Sequence, residues 1–192
     1  TVEDRPDVFT QAEIGWTPWL QPLSEDQLTE RHWAGLVDAS RSKSPYFMLL
    51  ARDPEILEAR TKTDKDIFYN TKSGLPRAER ELSATAASRY NGCIFCASVH
   101  SRFASHHSKR TEDVQRLLDE GIETDLGTRW NAVVAASVAL TSTPSAFGEA
   151  EIERLRAEGL DDLEIADVIH GAAFFNWANR LMLSLGEPTP AA

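Results

Sequence analysis

The sequence predicts an all-α fold, and three observations lead to that prediction. From residue 24 onward apolar positions follow helical spacing, and no strand-like alternation continues for more than a few residues. No glycine-rich nucleotide-binding loop is present. The 192 residues, 42% hydrophobic and 26% charged, fit one globular domain. We expect about eight helices in a single domain over residues 24–187, an extended arm over 1–23 and a loose tail over 188–192.

The N-terminal third contains the expected arm and the first helices. Residues 1–23 are rich in Pro, Trp and polar residues without a sustained period. Ser24 and Gln27 have the spacing of a capping box and predict the start of the first helix. A short apolar helix follows in SPYFMLL, and Asp53 before Pro54 predicts the cap of the next helix.

The later helices also begin or end at recognisable residues. Pro76 precedes the Ala-rich segment RAERELSATAASRY, whose composition is strongly helical, and Asn91-Gly92 tolerates the left-handed turn that would end this helix. The segment CIFCASVHSRFASHH predicts the next helix. Further helices are predicted in TEDVQRLLDEG, TRWNAVVAASVALTS, FGEAEIERLRAEG and LDDLEIADVIHGAAFFNWANRLMLSLG.

Charge and cysteine content restrict the possible partners and compartment. Thirty acidic against twenty basic residues give a formal charge of -10, which disfavours binding to nucleic acid. No basic N-terminal segment leads into a continuous apolar run, and no segment approaches the length of a membrane span. We therefore expect a cytoplasmic protein without a membrane partner. In that reducing compartment a lone pair of cysteines is more often catalytic, redox-sensing or metal-binding than structural.

The two cysteines lie in RYNGCIFCASVH, together with a histidine. On a helix Cys93 and Cys96 are i and i+3, and His100 is one turn beyond Cys96, so all three share one face. If the helix begins near Gly92, both sulfurs lie in its first turn, where free N–H groups and the helix dipole stabilise a thiolate. His100 can then accept a thiol proton or stabilise the ion.

Two further assignments concern residues that could act together with Cys93, Cys96 and His100. Glu81, on the preceding helix, is the candidate that would orient His100 if the two helices pack side by side. A structural zinc site is the main alternative, with Cys93, Cys96 and His100 as ligands and His106 or His107 as a fourth. It is disfavoured because zinc sites usually take two spaced ligand pairs from separate elements, and no second cysteine pair exists.

This set of residues resembles the AhpD-like alkylhydroperoxidases, within the larger carboxymuconolactone decarboxylase superfamily. The shared pattern is a glutamate, eleven residues, Cys-x-x-Cys, three residues and a histidine, here Glu81, Cys93, Cys96 and His100. The C-terminal segment LEIADVIHGAAFFNWANRLMLSLG is also similar to the closing helix of the peroxidase-related branch. The resemblance covers most of the chain after about Asp53.

The resemblance implies an all-helical homotrimer or homohexamer that reduces hydroperoxides through a dithiol and disulfide cycle. It implies that Cys96 attacks the peroxide, Cys93 resolves the product, and His100 and Glu81 relay protons. A lipoyl-type or thioredoxin-type dithiol would be the external reductant, and no cofactor or metal is expected. The sequence departs at Phe95, where the family archetype has a histidine directly before the second cysteine.

Two other functional classes remain open from the sequence. One is a lactone decarboxylase like the other superfamily branch, whose chemistry does not need Cys-x-x-Cys. The other is a non-enzymatic, redox-responsive oligomer in which a disulfide locks one conformation. An oligomer is favoured by the arm tryptophans, Trp16 and Trp19, and by the apolar C-terminal helix. A monomer of this size has too little other structure to bury all of them.

Overall fold

The structure is a computed structural model that describes residues 4–191. Within this range it contains nine α-helices and one two-stranded ribbon, so the all-α prediction is confirmed. The strands are β1 (Gly15–Pro18) and β2 (Gly186–Thr189). The helices are α1 (Glu30–Leu36), α2 (Pro45–Leu50), α3 (Pro54–Tyr69), α4 (Arg77–Asn91), α5 (Ile94–Ser108), α6 (Thr111–Glu120), α7 (Thr128–Thr141), α8 (Glu149–Ala157) and α9 (Asp162–Leu185).

Helix α4 is the centre of the domain. It packs against α5, α7 and α9, and every residue from 79 to 88 is buried. Small side chains such as Ser83 and Ala84 allow the neighbouring helices to approach closely. On α9, a Cβ at Gly171 would collide with the Ser83 side chain. The two glutamates of α4 that are buried, Glu79 and Glu81, are therefore held inside the protein and need partners there.

The arm and the C-terminal segment form the ribbon, which the sequence did not predict. Strand β1 pairs antiparallel with β2, with Trp16 opposite Pro188. The Trp16 side chain is buried against Tyr46, at a ring-centroid distance of 5.6 Å, and Trp19 remains 57% exposed. Pro188 and Thr189, expected in a loose tail, are thus paired. Residues 1–3 of the predicted arm and residue 192 of the predicted tail lie outside the described residues.

The helix boundaries show which local signals were decisive. Asp53 caps α3 by accepting a hydrogen bond from the Ile56 N–H, with Pro54 at the first helical position, as predicted. The capping box at Ser24 instead opens a single 3₁₀ turn, Glu25–Gln27. The chain then becomes extended, and α1 starts with Thr29 as its cap. The predicted start of the first helix was therefore five residues too early, because the capping box stabilises only a local turn here.

The helices of the structure are too short or too polar to span a membrane. None of the helices in residues 4–191 combines the length and the apolar composition that crossing a bilayer requires.

Candidate active site

A tight turn between α4 and α5 brings the candidate residues together. Gly92 ends α4 in the left-handed region at φ 78°, where a side chain would be strained, as the Asn-Gly pair predicted. Cys93 is the N-cap of α5, and its N–H donates to the Ser88 carbonyl at 3.0 Å. Because only two residues separate the helices, α5 runs back along α4. His100 therefore comes level with Glu81.

The two thiols are free and buried, and each shifts the pKa of the other. Each cysteine is 2% exposed, and together they belong to the apolar cluster formed with Tyr46, Phe175 and Met182. Hydrogen bonding from Cys96 lowers the pKa of the Cys93 thiol. Burial, together with the interaction with Cys93, raises the pKa of the Cys96 thiol well above its ordinary value. The first negative charge of the pair is therefore favoured on Cys93, with Cys96 as the hydrogen-bond donor.

His100 and Glu81 form a buried pair, in the contact that the helix packing was expected to produce. His100 Nδ1 lies 2.6 Å from Glu81 Oε2, and Glu81 is 1% exposed. The second carboxylate oxygen, Oε1, accepts a hydrogen bond from Arg77 Nε at 2.8 Å. Arg77 itself packs over the Tyr69 ring at 4.2 Å. Each oxygen of the carboxylate thus has its own nitrogen partner, from His100 and from Arg77.

The histidine ring is fixed by packing as well as by hydrogen bonding. Its centroid lies 3.9 Å from that of Phe175, with the rings inclined at 62°, and 5.3 Å from that of Phe68. With Nδ1 donating to Glu81, the other ring nitrogen keeps its lone pair and can accept a proton. The arrangement can therefore exchange protons at Nε2 while Glu81 stabilises the positive ring.

A cavity of about 210 Å³ opens beside these groups. We refer to it as the thiol cavity. Cys96 and His100 both line it, and its apolar wall consists of Phe47, Phe95, Val99, Phe175, Ala178 and Met182. Cys93 does not line it, although its thiol is hydrogen-bonded with that of Cys96. A small ligand in this cavity would thus meet the Cys96 sulfur first, with Cys93 behind it.

Other residues of the site were assigned no chemical role from the sequence. Asn179 of α9 is fully buried, donates to Ser88 Oγ at 3.0 Å, and lowers the pKa of both thiols through its side-chain hydrogen bonding. Tyr46 and Arg60 also line the thiol cavity. Only Arg77 had an available signal, because it lies four residues before Glu81 and helical i, i+4 pairs of opposite charge attract.

The ligand set of the zinc alternative does not assemble. Within residues 4–191, no group of three or more His, Cys, Asp or Glu side chains is arranged to hold a metal ion. His106 and His107 are exposed at the C-terminal end of α5, two turns beyond His100, and their rings contact each other at 5.0 Å.

Comparisons with known proteins agree with this fold. The family model described as the carboxymuconolactone decarboxylase family matches residues 54–139, which include Glu81 and both cysteines. An uncharacterised peroxidase-related protein from Ralstonia eutropha, described as an alkylhydroperoxidase AhpD core, superposes with a TM-score of 0.74 at 20% identity, covering 88% of this chain and 90% of that one. A peroxidase-related protein from Silicibacter sp. also gives 0.74, at 23% identity, with 90% and 92% covered.

A third solved structure with this fold is a debrominase, with a TM-score of 0.68 at 16% identity, covering 88% of this chain and 90% of that one. Among curated proteins no sequence matches. The fold and the buried Cys-x-x-Cys pair define a helical dithiol domain. Its fold is shared with the AhpD-core and peroxidase-related proteins, and residues 54–139 match the carboxymuconolactone decarboxylase family model.

Proposed function

We propose that the protein is a thiol-dependent peroxidase with an antioxidant role. The observation that carries the proposal is the combination, at one cavity, of the Cys96 thiol and the His100–Glu81 pair, with the Cys93 thiol hydrogen-bonded to Cys96. The peroxidase-related names of proteins with the same fold support a function of this class. The finer assignment to a dithiol cycle rests on the chemistry of these four residues.

The first step of the proposed cycle is attack on the peroxide. The Cys96 proton passes to the coupled Cys93 thiolate or to His100 Nε2, and the Cys96 thiolate attacks the terminal oxygen of ROOH. The S–O bond forms as the O–O bond breaks, which gives a sulfenic acid on Cys96. The leaving alkoxide takes the proton and departs as the alcohol ROH. Glu81 stabilises the positive charge on His100 during the transfer.

The second step closes the disulfide. The Cys93 thiolate attacks the Cys96 sulfenic sulfur, and the hydroxyl leaves as water after protonation. The protein has then been oxidised by two electrons and the peroxide reduced by two. An external dithiol of the lipoyl or thioredoxin type would reduce the disulfide by thiol–disulfide exchange and leave as its own disulfide.

Steady-state turnover of an organic hydroperoxide with a supplied dithiol tests the function. We expect turnover by the wild type and its loss in Cys96→Ser and His100→Ala, with His106→Ala as a matched control on the same helix because this ring is exposed and outside the cavity. If no hydroperoxide and dithiol pair is turned over, the decarboxylase and non-enzymatic alternatives gain support and the peroxidase proposal fails.

The aromatic wall of the thiol cavity favours a second candidate, reductive dehalogenation. The debrominase with the same fold is known in a complex with 2,3,4-tribromopyrrole, and Phe47, Phe95 and Phe175 would contact a small aromatic ring beside Cys96. A dithiol supplies two electrons, so an aryl bromide would become the arene and bromide while the thiols form a disulfide. Release of bromide from tribromopyrrole, without hydroperoxide turnover, would favour this candidate over the peroxidase.

A further inference from the structure

The thiol cavity contains two polar side chains that the peroxide chemistry does not use. Arg60 of α3 is 8% exposed, and its Nε and Nη1 atoms are buried without a hydrogen-bond partner among the described protein groups. The Tyr46 hydroxyl of α2 is likewise buried and meets no geometric hydrogen-bond criterion with another protein group. Both side chains line the cavity that Cys96 and His100 also line. Buried donors without partners are rare in folded proteins and indicate a missing acceptor.

The charges around Arg60 leave it incompletely compensated. The nearest acidic group paired with it is Asp64, whose Oδ2 lies 3.9 Å from Nη1, beyond hydrogen-bond distance. A second guanidinium, Arg41, also has a buried Nη1 without a partner, and its pKa is lowered by burial and then by the positive charge of Arg60. The two arginines and Asp64 line a neighbouring cavity that shares the His100 and Phe175 walls. Asp64 thus faces both arginines, while Glu81, which also lines this cavity, is already bonded to Arg77 and His100.

The flanking groups hold Arg60 in place instead of neutralising it. Its guanidinium carbon lies 5.0 Å from the centroid of the Phe47 ring and 5.5 Å from that of Phe174. These cation–π contacts orient the planar group while leaving its N–H edge available. Burial raises the pKa of Tyr46 against the lowering effect of the neighbouring Arg60 guanidinium, so the phenol stays neutral beside Arg60 and can donate. A guanidinium edge and a phenol hydroxyl are suited to the two oxygens of one carboxylate.

We propose that the thiol cavity takes small organic hydroperoxides that carry a carboxylate, with Arg60 and Tyr46 binding the carboxylate and the aromatic wall covering the hydrocarbon. This substrate class rests on the proposed peroxidase function. The cavity volume of about 210 Å³ lies below the roughly 300–1,000 Å³ typical of drug-sized ligands, which favours a short chain. Carboxylate binding at Arg60 would also fix which end of the substrate reaches Cys96.

Binding without turnover tests the anion site on its own. Ligand-observed NMR titrations would compare hexanoate with hexanamide, which has a similar shape and no charge. We expect wild type to bind hexanoate at least about tenfold more tightly, the scale of one hydrogen bond to a charged group. Arg60→Met should abolish the difference. Lys62→Met is the matched control, since it removes the same charge from an exposed position of the same helix.

Tyr46→Phe provides a second variant in case Arg60→Met does not fold. It removes only the hydroxyl and keeps the ring that packs on Trp16 and Phe47. We expect it to weaken hexanoate binding and to leave hexanamide binding unchanged. Equal affinity of wild type for hexanoate and hexanamide, or no binding of either, would overturn the proposal.

Turnover then separates the two proposals. A short-chain hydroperoxy acid and its primary amide would be compared in kcat/KM with one dithiol reductant, and we expect wild type to prefer the acid by about tenfold or more. Turnover of both compounds at equal rates would refute the carboxylate site and leave the peroxidase function standing. Selective hexanoate binding that depends on Arg60, without turnover of any hydroperoxide, would support the anion site and refute the peroxidase function.

Discussion

Replacing Glu81 by Gln tests whether the buried pair with His100 contributes to catalysis. Glutamine keeps the size and the hydrogen-bonding reach of the side chain but removes its charge, so His100 Nδ1 loses a carboxylate partner at 2.6 Å. A hydrogen bond to a charged group contributes about 1.5–3 kcal/mol, and 1.36 kcal/mol corresponds to a tenfold change in rate. We therefore expect kcat/KM for an organic hydroperoxide to fall on the order of 10².

Stability must be separated from catalysis in this variant, because Glu81 also pairs with Arg77. Breaking a buried ion pair by removing one partner costs about 3–5 kcal/mol, an upper bound here because glutamine still accepts a hydrogen bond. Glu79→Gln is the matched control. Glu79 is on the same helix, is buried, and binds Arg129 through both carboxylate oxygens at 2.7 and 3.0 Å, away from the thiols.

The assay combines initial rates at saturating dithiol with unfolding in denaturant for both variants. We expect both to lose stability, and only Glu81→Gln to lose activity among the molecules that remain folded. A kcat/KM for Glu81→Gln within about twofold of wild type would refute the reasoning, since that change corresponds to less than one hydrogen bond. An equal loss of activity in Glu79→Gln would attribute the effect to helix α4 as a whole.

Three further predictions concern the thiols, the assembly and Phe95. In an ultraviolet thiolate titration, the pKa of Cys93 should fall below the ordinary thiol value of about 8.5, and that of Cys96 should lie above it. In Cys96→Ala the pKa of Cys93 should rise, because its hydrogen-bond donor is lost. Light scattering should report a trimer or hexamer, since Trp19 and Trp177 are 57% and 39% exposed, and a monomer at micromolar concentration would contradict this. Phe95→His should reduce the preference for organic hydroperoxides over hydrogen peroxide, because the cavity wall loses apolar surface worth about 0.8 kcal/mol per buried methylene. It should also change the pH profile of turnover, because the new side chain is titratable. No change in either property would refute the role of Phe95.

Local signals were sufficient for most of the helical frame. Asp53 with Pro54, and Gly92 in its left-handed turn, act through backbone geometry that neighbouring residues determine. The Glu81–His100 contact was also predictable, because a two-residue turn forces α5 to run back along α4. The ribbon was not, because each strand has four residues, too few for a visible alternation, and its pairing joins the two ends of the chain.

The remaining parts of the site come from elements far apart in the sequence. Tyr46, Arg60 and Asn179 belong to α2, α3 and α9, and each has an ordinary explanation in its own helix. Tyr46 and Asn179 occupy apolar helices, where a ring or an amide is readily taken as core, and Arg60 lies in a charged helix, where an arginine is usually solvated. Only tertiary packing shows that Arg60 is buried beside the thiols.

Peptide mapping after one equivalent of an organic hydroperoxide tests the dithiol cycle most directly. In the reduced wild type we expect one alcohol released per chain and a disulfide between Cys93 and Cys96. In Cys93→Ser, a sulfenic acid should be trapped on Cys96, because this sulfur lines the thiol cavity beside His100. Sulfenic acid found only on Cys93, in Cys96→Ser, would reverse the two roles. Free thiols on both cysteines after peroxide exposure would contradict the account.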